Sequence, residues 1–203
     1  PLPGLPCGSG SDTRSRIARQ HSTHPPRENG MKSRDIAIVG ILLAIGAIVR
    51  YLSLIIPGPI VANLVIAFYC LAILLVLPTL TEAIGIGFVA GIVSALISHS
   101  VFPPGNLISE PIGAVVCLLL YRLLKDRVPA SEGITTFIAT VASGSSFVLV
   151  SLVAVAPTIL SKYATLGAYA VVVIPIVLTA AVANAVIAQL LYTPAARVLM
   201  RGR

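Results

Sequence analysis

Five polar residues interrupt otherwise apolar stretches of the sequence and could form a binding site. They are Arg50, Asn63, His99, Asn106 and Glu110. An ionisable side chain in hydrocarbon is costly and usually faces an interior cavity, so these positions are candidates to line one. A cation, an anion and several amides around an apolar cavity suit a small zwitterion with an apolar body. The residue types therefore predict a binding site and do not indicate a catalytic one.

Each of these residues also has an interpretation without a ligand. Arg50 could extend its charged head to the membrane interface. Glu110 lies beside Pro111 and could cap the N-terminus of a helix. His99 could be a hydrogen-bonded interface residue, and Asn63 could clamp two helices together. The sequence alone leaves these alternatives open.

The overall composition places these residues in a membrane protein. The chain has 203 residues, of which 57% are hydrophobic and 10% are charged. A soluble domain is roughly half apolar and a quarter charged, so this chain has too few polar side chains to cover a globule. The composition excludes an ordinary soluble enzyme, a disordered tail and a nucleic-acid binder. It predicts an integral membrane protein embedded in a lipid bilayer.

The cysteines predict neither a disulfide framework nor a metal site. Cys7, Cys70 and Cys117 are an odd, scattered set without a C-x-x-C pair. Cys70 and Cys117 lie inside apolar runs, where cysteine behaves as a small hydrophobic residue. We therefore expect no metal in this chain.

Six stretches from Met31 onward are long and apolar enough to be predicted as membrane-spanning helices. Their approximate bounds are 35–56, 60–77, 82–101, 109–124, 134–158 and 167–192. Prolines separate the first four, and a break near 161–166 separates the last two. Pro175 is expected to kink the sixth span, which membrane helices tolerate when their neighbours satisfy the freed backbone groups. The predicted fold class is an all-α integral membrane protein with a six-transmembrane-helix bundle.

Basic residues predict the orientation of these spans, because they are enriched in cytoplasmic segments. They cluster before the first span, after the fourth and after the sixth: Lys32, Arg34, Arg122, Lys125, Arg127, Arg197, Arg201 and Arg203. With six spans, all three clusters lie on one side of the membrane. Both termini are therefore expected to be cytoplasmic, and the five candidate site residues are expected to lie towards the outer face.

Residues 1–30 differ in composition from the rest of the chain. They are rich in Pro, Gly, Ser and Arg and show no apolar periodicity, so we expect them to be disordered. They also lack the apolar segment of a secretory signal peptide. The abrupt change at Met31 predicts a natural translation start there, with 1–30 as an upstream extension and 31–203 as the transmembrane domain.

Two stripes of small residues predict close contacts of helices. The stripe in the third span recurs every four residues and consists of Ala83, Gly87, Gly91 and Ala95. This spacing is typical of helix packing within a bundle. The stripe in the first span recurs at three and four residues and consists of Ala37, Gly40, Ala44 and Ala47. For the first span, packing within the bundle competes with docking to a partner protein.

Three segments carry a resemblance to a known family. They are Met31-Lys32-Ser33-Arg34 with Leu42-Leu43-Ala44-Ile45-Gly46-Ala47, the run Gly91-Ile92-Val93-Ser94-Ala95-Leu96, and Phe102-Pro103 followed by Gly105 and Asn106-Leu107-Ile108-Ser109-Glu110-Pro111. In them the chain resembles the substrate-binding (S) components of energy-coupling factor (ECF) transporters, and most of all the tryptophan-transporter family. That family has Asp-Lys before the proline, where this chain has Ser109-Glu110.

The resemblance implies a mechanism and a set of partners. An S component of the prokaryotic cell membrane captures a solute at the outer face and docks onto a transmembrane coupling protein that carries two ATPases. It then topples so that its site faces the cytoplasm. Gly40-x-x-x-Ala44 corresponds to the Ala-x-x-x-Ala docking pattern of the class. The chain has no G-x-x-x-x-G-K-[ST] loop, so it is expected to need no cofactor of its own and to leave ATP to its partners.

The substrate implied by the resemblance is tryptophan or a similar solute. Arg50 would hold its carboxylate and Glu110 its ammonium group. Asn63 or Asn106 would hold other polar atoms, and apolar walls would enclose the ring.

Two other classes of function stay open at this point. A self-sufficient secondary transporter of a small amino acid or vitamin is the alternative, but such proteins are usually built from internal repeats. No repeat of 31–115 is evident in 116–203. An intramembrane enzyme is disfavoured, because Gly144-Ser145 and His99 lack a G-x-S-x-G arrangement and a carboxylate beside them. We therefore expect that the chain is not an enzyme.

Replacing Glu110 with Gln should weaken solute binding by more than about tenfold, because hydrogen bonds to charged groups are among the stronger ones. Expression of the variant should be unchanged. The dissociation constant of the purified protein checks this, and an unchanged affinity would remove Glu110 from the site.

Overall fold

The structure is a computed structural model that describes residues 30–55 and 63–201. The predicted disordered extension therefore lies outside the described residues except for Gly30. The predicted end of the first span at Ile56, the turn at 57–59 and the predicted start of the second span at Ile60 also lie outside them.

The described residues form seven α-helices and no strand. The helices are Ser33–Ile55 (α1), Val65–Val76 (α2), Leu80–Ile97 (α3), Asn106–Leu124 (α4), Ser131–Ala154 (α5), Ala156–Tyr163 (α6) and Leu166–Arg201 (α7). A short 3-10 turn, Pro103–Gly105, precedes α4. The all-α prediction is confirmed. Five helices, α1, α3, α4, α5 and α7, are long and apolar enough to cross a membrane.

The second predicted span is shorter than expected. Helix α2 has 12 residues, which gives a length of about 18 Å against the roughly 30 Å of a bilayer's hydrocarbon core. All residues from Val65 to Leu74 are buried, so α2 is enclosed by the other helices. The chain at Asn63 and Leu64 is not helical. The Asn63 carbonyl accepts a hydrogen bond from Asn184 of α7 at 3.1 Å in addition to one from the Ile66 backbone N–H at 3.4 Å.

The start of α1 and the end of α7 lie at the same end of the bundle, which we call the terminal end. The Arg34 guanidinium near the start of α1 donates to the Leu199 carbonyl of α7 at 2.5 Å. Near the start of α3, Pro78 accepts a hydrogen bond of 2.6 Å from Arg122 of α4. Met31, just before α1, donates its backbone N–H to Glu82 in the first turn of α3. The starts of α1 and α3 and the ends of α4 and α7 therefore lie at this end. The opposite end of the bundle is called the cavity end.

The region between the fifth and sixth predicted spans contains an extra break. The predicted fifth span ends at about 158, but α5 ends at Ala154 and the backbone leaves the helical region at Val155. Pro157 explains this break, because proline has no backbone N–H to donate to the Val153 carbonyl and is suited to the first turn of a new helix. The predicted break near 161–166 is confirmed, with Ala164 at a φ of 60° between α6 and α7.

The two stripes of small residues have different surroundings. In α3, a Cβ atom added to Gly87 would lie 2.6 Å from the Pro111 Cα atom, and one added to Gly91 would lie 2.6 Å from the Asn106 carbonyl oxygen. Backbone contact with α4 therefore requires glycine at both positions, and the predicted packing of this stripe is confirmed.

The stripe of α1 faces outwards. Three of its residues are exposed and the fourth is half-buried, in the order Ala37, Gly40, Ala44 and Ala47. A Cβ atom added to Gly40 would meet nothing within 4 Å among the described neighbours. Packing within the bundle therefore does not explain this stripe.

Substituting Val for Gly87 should lower the free energy of unfolding by about 1–3 kcal/mol, because the side chain overlaps the α4 backbone. The apparent melting temperature in detergent should fall by about 5 °C. Gly85→Val is the matched control, because a Cβ atom at Gly85 meets nothing within 4 Å on the same helix. Equal melting temperatures of the two variants would contradict the contact of α3 with α4.

Candidate functional site

A cavity of about 260 Å³ lies at the cavity end of the bundle. This volume is near the lower limit of the roughly 300–1,000 Å³ of small-molecule sites. All five candidate site residues of the sequence analysis line it: Arg50, Asn63, His99, Asn106 and Glu110. The fold thus brings together residues from α1, α4 and two connecting segments. That they bind a ligand stays a prediction.

Glu110 is the centre of a hydrogen-bond network inside the bundle. Its side chain is 1% exposed. Oε1 accepts a hydrogen bond from Asn63 Nδ2. Oε2 accepts hydrogen bonds from Ser143 Oγ at 3.0 Å and Tyr69 Oη at 3.1 Å. The carboxylate therefore holds α2, α4 and α5 together through bonds to a charged acceptor.

The alternative interpretation of Glu110 as a helix cap is wrong. Helix α4 begins at Asn106, three residues earlier than predicted, which places Glu110 beyond the first turn. The segment starts earlier because the Pro103–Gly105 turn leads directly into α4. The Asn106 side chain stabilises this start by donating from Nδ2 to the Pro103 carbonyl at 2.8 Å. Its amide nitrogen is therefore already engaged, whereas its Oδ1 atom is available to a ligand.

Arg50 occupies the last two turns of α1 and is 5% exposed. Its Nε and Nη1 atoms are buried and have no hydrogen-bond acceptor among the described residues. The structure shows no ion pair within 4.0 Å between Arg50 and Glu110, although both line the cavity. A guanidinium at a membrane interface would keep its charged head exposed. Burial of the Arg50 nitrogens instead places this cation in the interior.

Asn63 and His99 have different positions in the cavity. Asn63 Nδ2 also lies 3.4 Å from Ser94 Oγ, and Asn184, which donates to the Asn63 carbonyl, lies 3.3 Å from Thr140 Oγ1. Asn63 therefore clamps helices together while it lines the cavity. His99 is exposed in the connection after α3, at the rim of the cavity.

Tyr69 is a functional candidate that the sequence analysis missed. It is completely buried, and its hydroxyl reaches Glu110 past Gly113. A Cβ atom at Gly113 would collide with Tyr69 Oη and lie 2.9 Å from Ser143 Cβ. Glycine is therefore required here for the two hydroxyl donors to converge on Glu110. The sequence feature that could have identified it is a tyrosine, with its polar hydroxyl, within the apolar run 65–74.

Aromatic side chains form part of the cavity wall and were also missed. Phe147 of α5 lines the cavity together with Tyr163 and Tyr169. The two tyrosine rings pack edge to face, with centroids 5.2 Å apart and an interplanar angle of 65°. The break at Ala164 places Tyr163 of α6 beside Tyr169 of α7. This wall can contact a flat ring in the offset or edge-to-face geometry that aromatic groups prefer.

No three His, Cys, Asp or Glu side chains in the described part of the chain lie close enough to hold a metal ion. Cys70 and Cys117 are buried free thiols, and Cys7 lies outside the described residues. What the arrangement offers is a buried cation without an acceptor, a carboxylate bound by protein donors and an aromatic wall. Such a site can hold a carboxylate that is attached to an aromatic ring.

Comparison with known proteins identifies the family of this chain. The family described as "Tryptophan transporter TrpP" matches residues 32–201. A curated relative, the "Probable tryptophan transport protein" of Bacillus subtilis (strain 168), is 30% identical over 178 residues, which cover 85% of this chain and 96% of that protein. No solved structure matches the chain. The chain is a multi-pass protein of the plasma membrane that belongs to the TrpP family of tryptophan transporters.

Proposed function

We propose that this protein is the substrate-binding S component of an ECF-type importer and that it captures tryptophan in the cavity for uptake driven by ATP. The observation that carries the substrate assignment is the buried Arg50, whose Nε and Nη1 atoms lack an acceptor among the described residues, beside a cavity that Phe147, Tyr163 and Tyr169 help to line. Membership of the TrpP family supports the same assignment.

The cavity residues suit the parts of tryptophan. The Arg50 guanidinium matches the planar shape and charge of a carboxylate. Phe147, Tyr163 and Tyr169 offer surfaces for the indole ring. The Oδ1 atoms of Asn63 and Asn106 can accept hydrogen bonds from the ligand.

Purified protein should bind tryptophan saturably, with a blue shift of ligand fluorescence. The chain contains no Trp, so excitation beyond tyrosine absorption reports only the ligand's indole. Arg50→Gln should weaken binding by at least about 30-fold, because it removes one member of a buried charge pair. The melting temperature of the variant is measured alongside, because Arg50 also interacts electrostatically with the buried Glu110.

Arg127→Gln is the matched control, because Arg127 is exposed at the end of the bundle opposite the cavity. Its affinity for tryptophan should equal that of the wild type. Absence of a saturable shift in the wild-type protein would contradict the substrate assignment. Equal affinities of Arg50→Gln and the wild type would remove Arg50 from the site.

The proposed orientation places the terminal end in the cytoplasm and the cavity at the outer face. Four basic side chains near the terminal end support this orientation: Lys32, Arg34, Arg122 and Arg197. The positive-inside rule assigns an end of this kind to the cytoplasm.

The exposed small residues of α1 are the proposed docking surface for the coupling protein. Gly40 and Ala44 are exposed and spaced by four residues, so a partner helix could approach the α1 backbone closely. ATP would be bound and hydrolysed by the partner ATPases, because the chain has no phosphate-binding loop of the G-x-x-x-x-G-K-[ST] type.

Gly40→Leu should abolish uptake of tryptophan in cells that carry the coupling module and leave binding to the purified protein unchanged, because the added side chain would keep the partner helix at a distance. Gly85→Leu, at an exposed glycine of α3, is the matched control and should transport normally.

Two results would contradict this assignment. One is normal uptake by Gly40→Leu. The other is uptake driven by an ion gradient in proteoliposomes that contain only this chain, which would identify a secondary transporter.

A further inference from the structure

We propose that the cavity recognises aromatic solutes chiefly through their carboxylate group, which Arg50 binds, and that Glu110 is a positioning residue and not the ligand of the ammonium group. This inference rests on the proposed function and defines the substrate class of the same site. The class is indole-type and other aromatic carboxylates, to whose binding the ammonium group of an amino acid contributes less than the carboxylate.

Protein groups already supply most of the hydrogen bonds that Glu110 can accept. A carboxylate has about four lone-pair sites for hydrogen bonds. Three of them are used by donors of the protein, from Asn63, Tyr69 and Ser143. A ligand ammonium group would have to compete with these donors or share the remaining site. Most of the hydrogen-bonding capacity of Glu110 is therefore used before a ligand binds.

Arg50 is in the opposite situation. Its guanidinium has five N–H donors, and the buried Nε and Nη1 groups find no acceptor among the described residues. Leaving a buried charge without a partner is unfavourable, so an acceptor supplied by a ligand stabilises the site. A carboxylate supplies that acceptor, whereas an ammonium group, which has only donors, cannot.

The other polar groups of the cavity do not offer a ligand's carboxylate a second basic side chain of arginine or lysine. Among the described residues that line it, Arg50 is the one arginine or lysine. The Asn106 amide nitrogen is bonded to the Pro103 carbonyl, and His99 is exposed at the rim. Because no ion pair within 4.0 Å joins Arg50 to Glu110, Arg50 does not serve as the close partner of that carboxylate.

Gly113 supports a positioning role for Glu110. Any larger residue at this position would meet Tyr69 Oη and Ser143 Cβ. The chain therefore leaves space for two hydroxyl donors that point at Glu110 from inside the protein. These internal donors fix the position of the Glu110 side chain in the bundle.

Three indoles test the inference on the wild-type protein, so that no variant has to fold. They are tryptophan, indole-3-propionate, which lacks the ammonium group, and tryptamine, which lacks the carboxylate. Each is followed by its own fluorescence, since the chain has no Trp. We expect tryptamine to bind at least about 30-fold more weakly than indole-3-propionate, because only tryptamine leaves Arg50 unpaired.

Two variants separate the roles of the charged residues. Arg50→Gln should bring indole-3-propionate and tryptamine to within about threefold of each other, because the group that distinguishes them is gone. Glu110→Gln should weaken the binding of tryptophan, and indole-3-propionate should still bind more tightly than tryptamine. If Glu110→Gln weakened the binding of tryptophan and left the affinity for indole-3-propionate unchanged, Glu110 would be the ligand of the ammonium group and the inference would be wrong.

The possible results distinguish the inference from the proposed function. Tight binding of tryptophan together with equal affinities for tryptamine and indole-3-propionate would overturn the inference and leave the tryptophan assignment standing. Binding of indole-3-propionate without binding of tryptophan would support the inference and overturn that assignment. Binding of none of the three indoles would overturn both.

Discussion

A carboxylate buried among apolar helices is the constraint on which the rest of this structure depends. An ion in hydrocarbon is tolerated only where the protein supplies its hydrogen bonds. For Glu110 the donors come from the start of α2, from within α2 and from α5. Helices α2 and α5 must therefore meet at one point of α4, and the cavity forms beside that point.

The short length of α2 follows from the same constraint. A helix that began at residue 60 would include Asn63 in its backbone ladder. In the structure Asn63 is not helical, and its carbonyl is satisfied by Asn184 while its amide reaches Glu110. Irregular backbone at membrane depth is stable where it is enclosed by protein. The long helices around α2 provide that enclosure, and the Gly87 and Gly91 contacts bring α3 and α4 close enough to complete it.

Much of the fold and of the cavity lining was predictable from the sequence for a physical reason. Charged and amide side chains are so costly in a membrane span that Arg50, Asn63 and Glu110 are conspicuous, and the structure places them in one cavity. Tyr69 could not be recognised in the same way, because a tyrosine ring is mostly apolar and its hydroxyl is informative only once Glu110 is known to be nearby.

Helix ends were less predictable than helix number, because an apolar run shows where a chain can cross a membrane and not where its hydrogen-bond ladder begins. Tertiary contacts decided the start of α2, and Pro157 decided the end of α5. The sequence could also not show that the Glu110 side chain is hydrogen-bonded and that the Arg50 Nε and Nη1 atoms have no acceptor among the described residues, because these bonds depend on tertiary contacts. Counting charges suggests a symmetrical site for a zwitterion, whereas the contacts show one satisfied anion and one cation without a bound acceptor.

An experimental structure with tryptophan bound would show directly whether Arg50 binds the ligand's carboxylate. The measured quantity is the distance from the ligand's carboxylate oxygens to the guanidinium nitrogens of Arg50. We expect this distance to be about 2.7–2.9 Å, as for other charge-assisted N–H···O bonds. The indole should lie inside the cavity, and the three protein donors should still be bonded to Glu110. A ligand whose carboxylate points away from Arg50, or whose ammonium group replaces those donors on Glu110, would contradict this expectation.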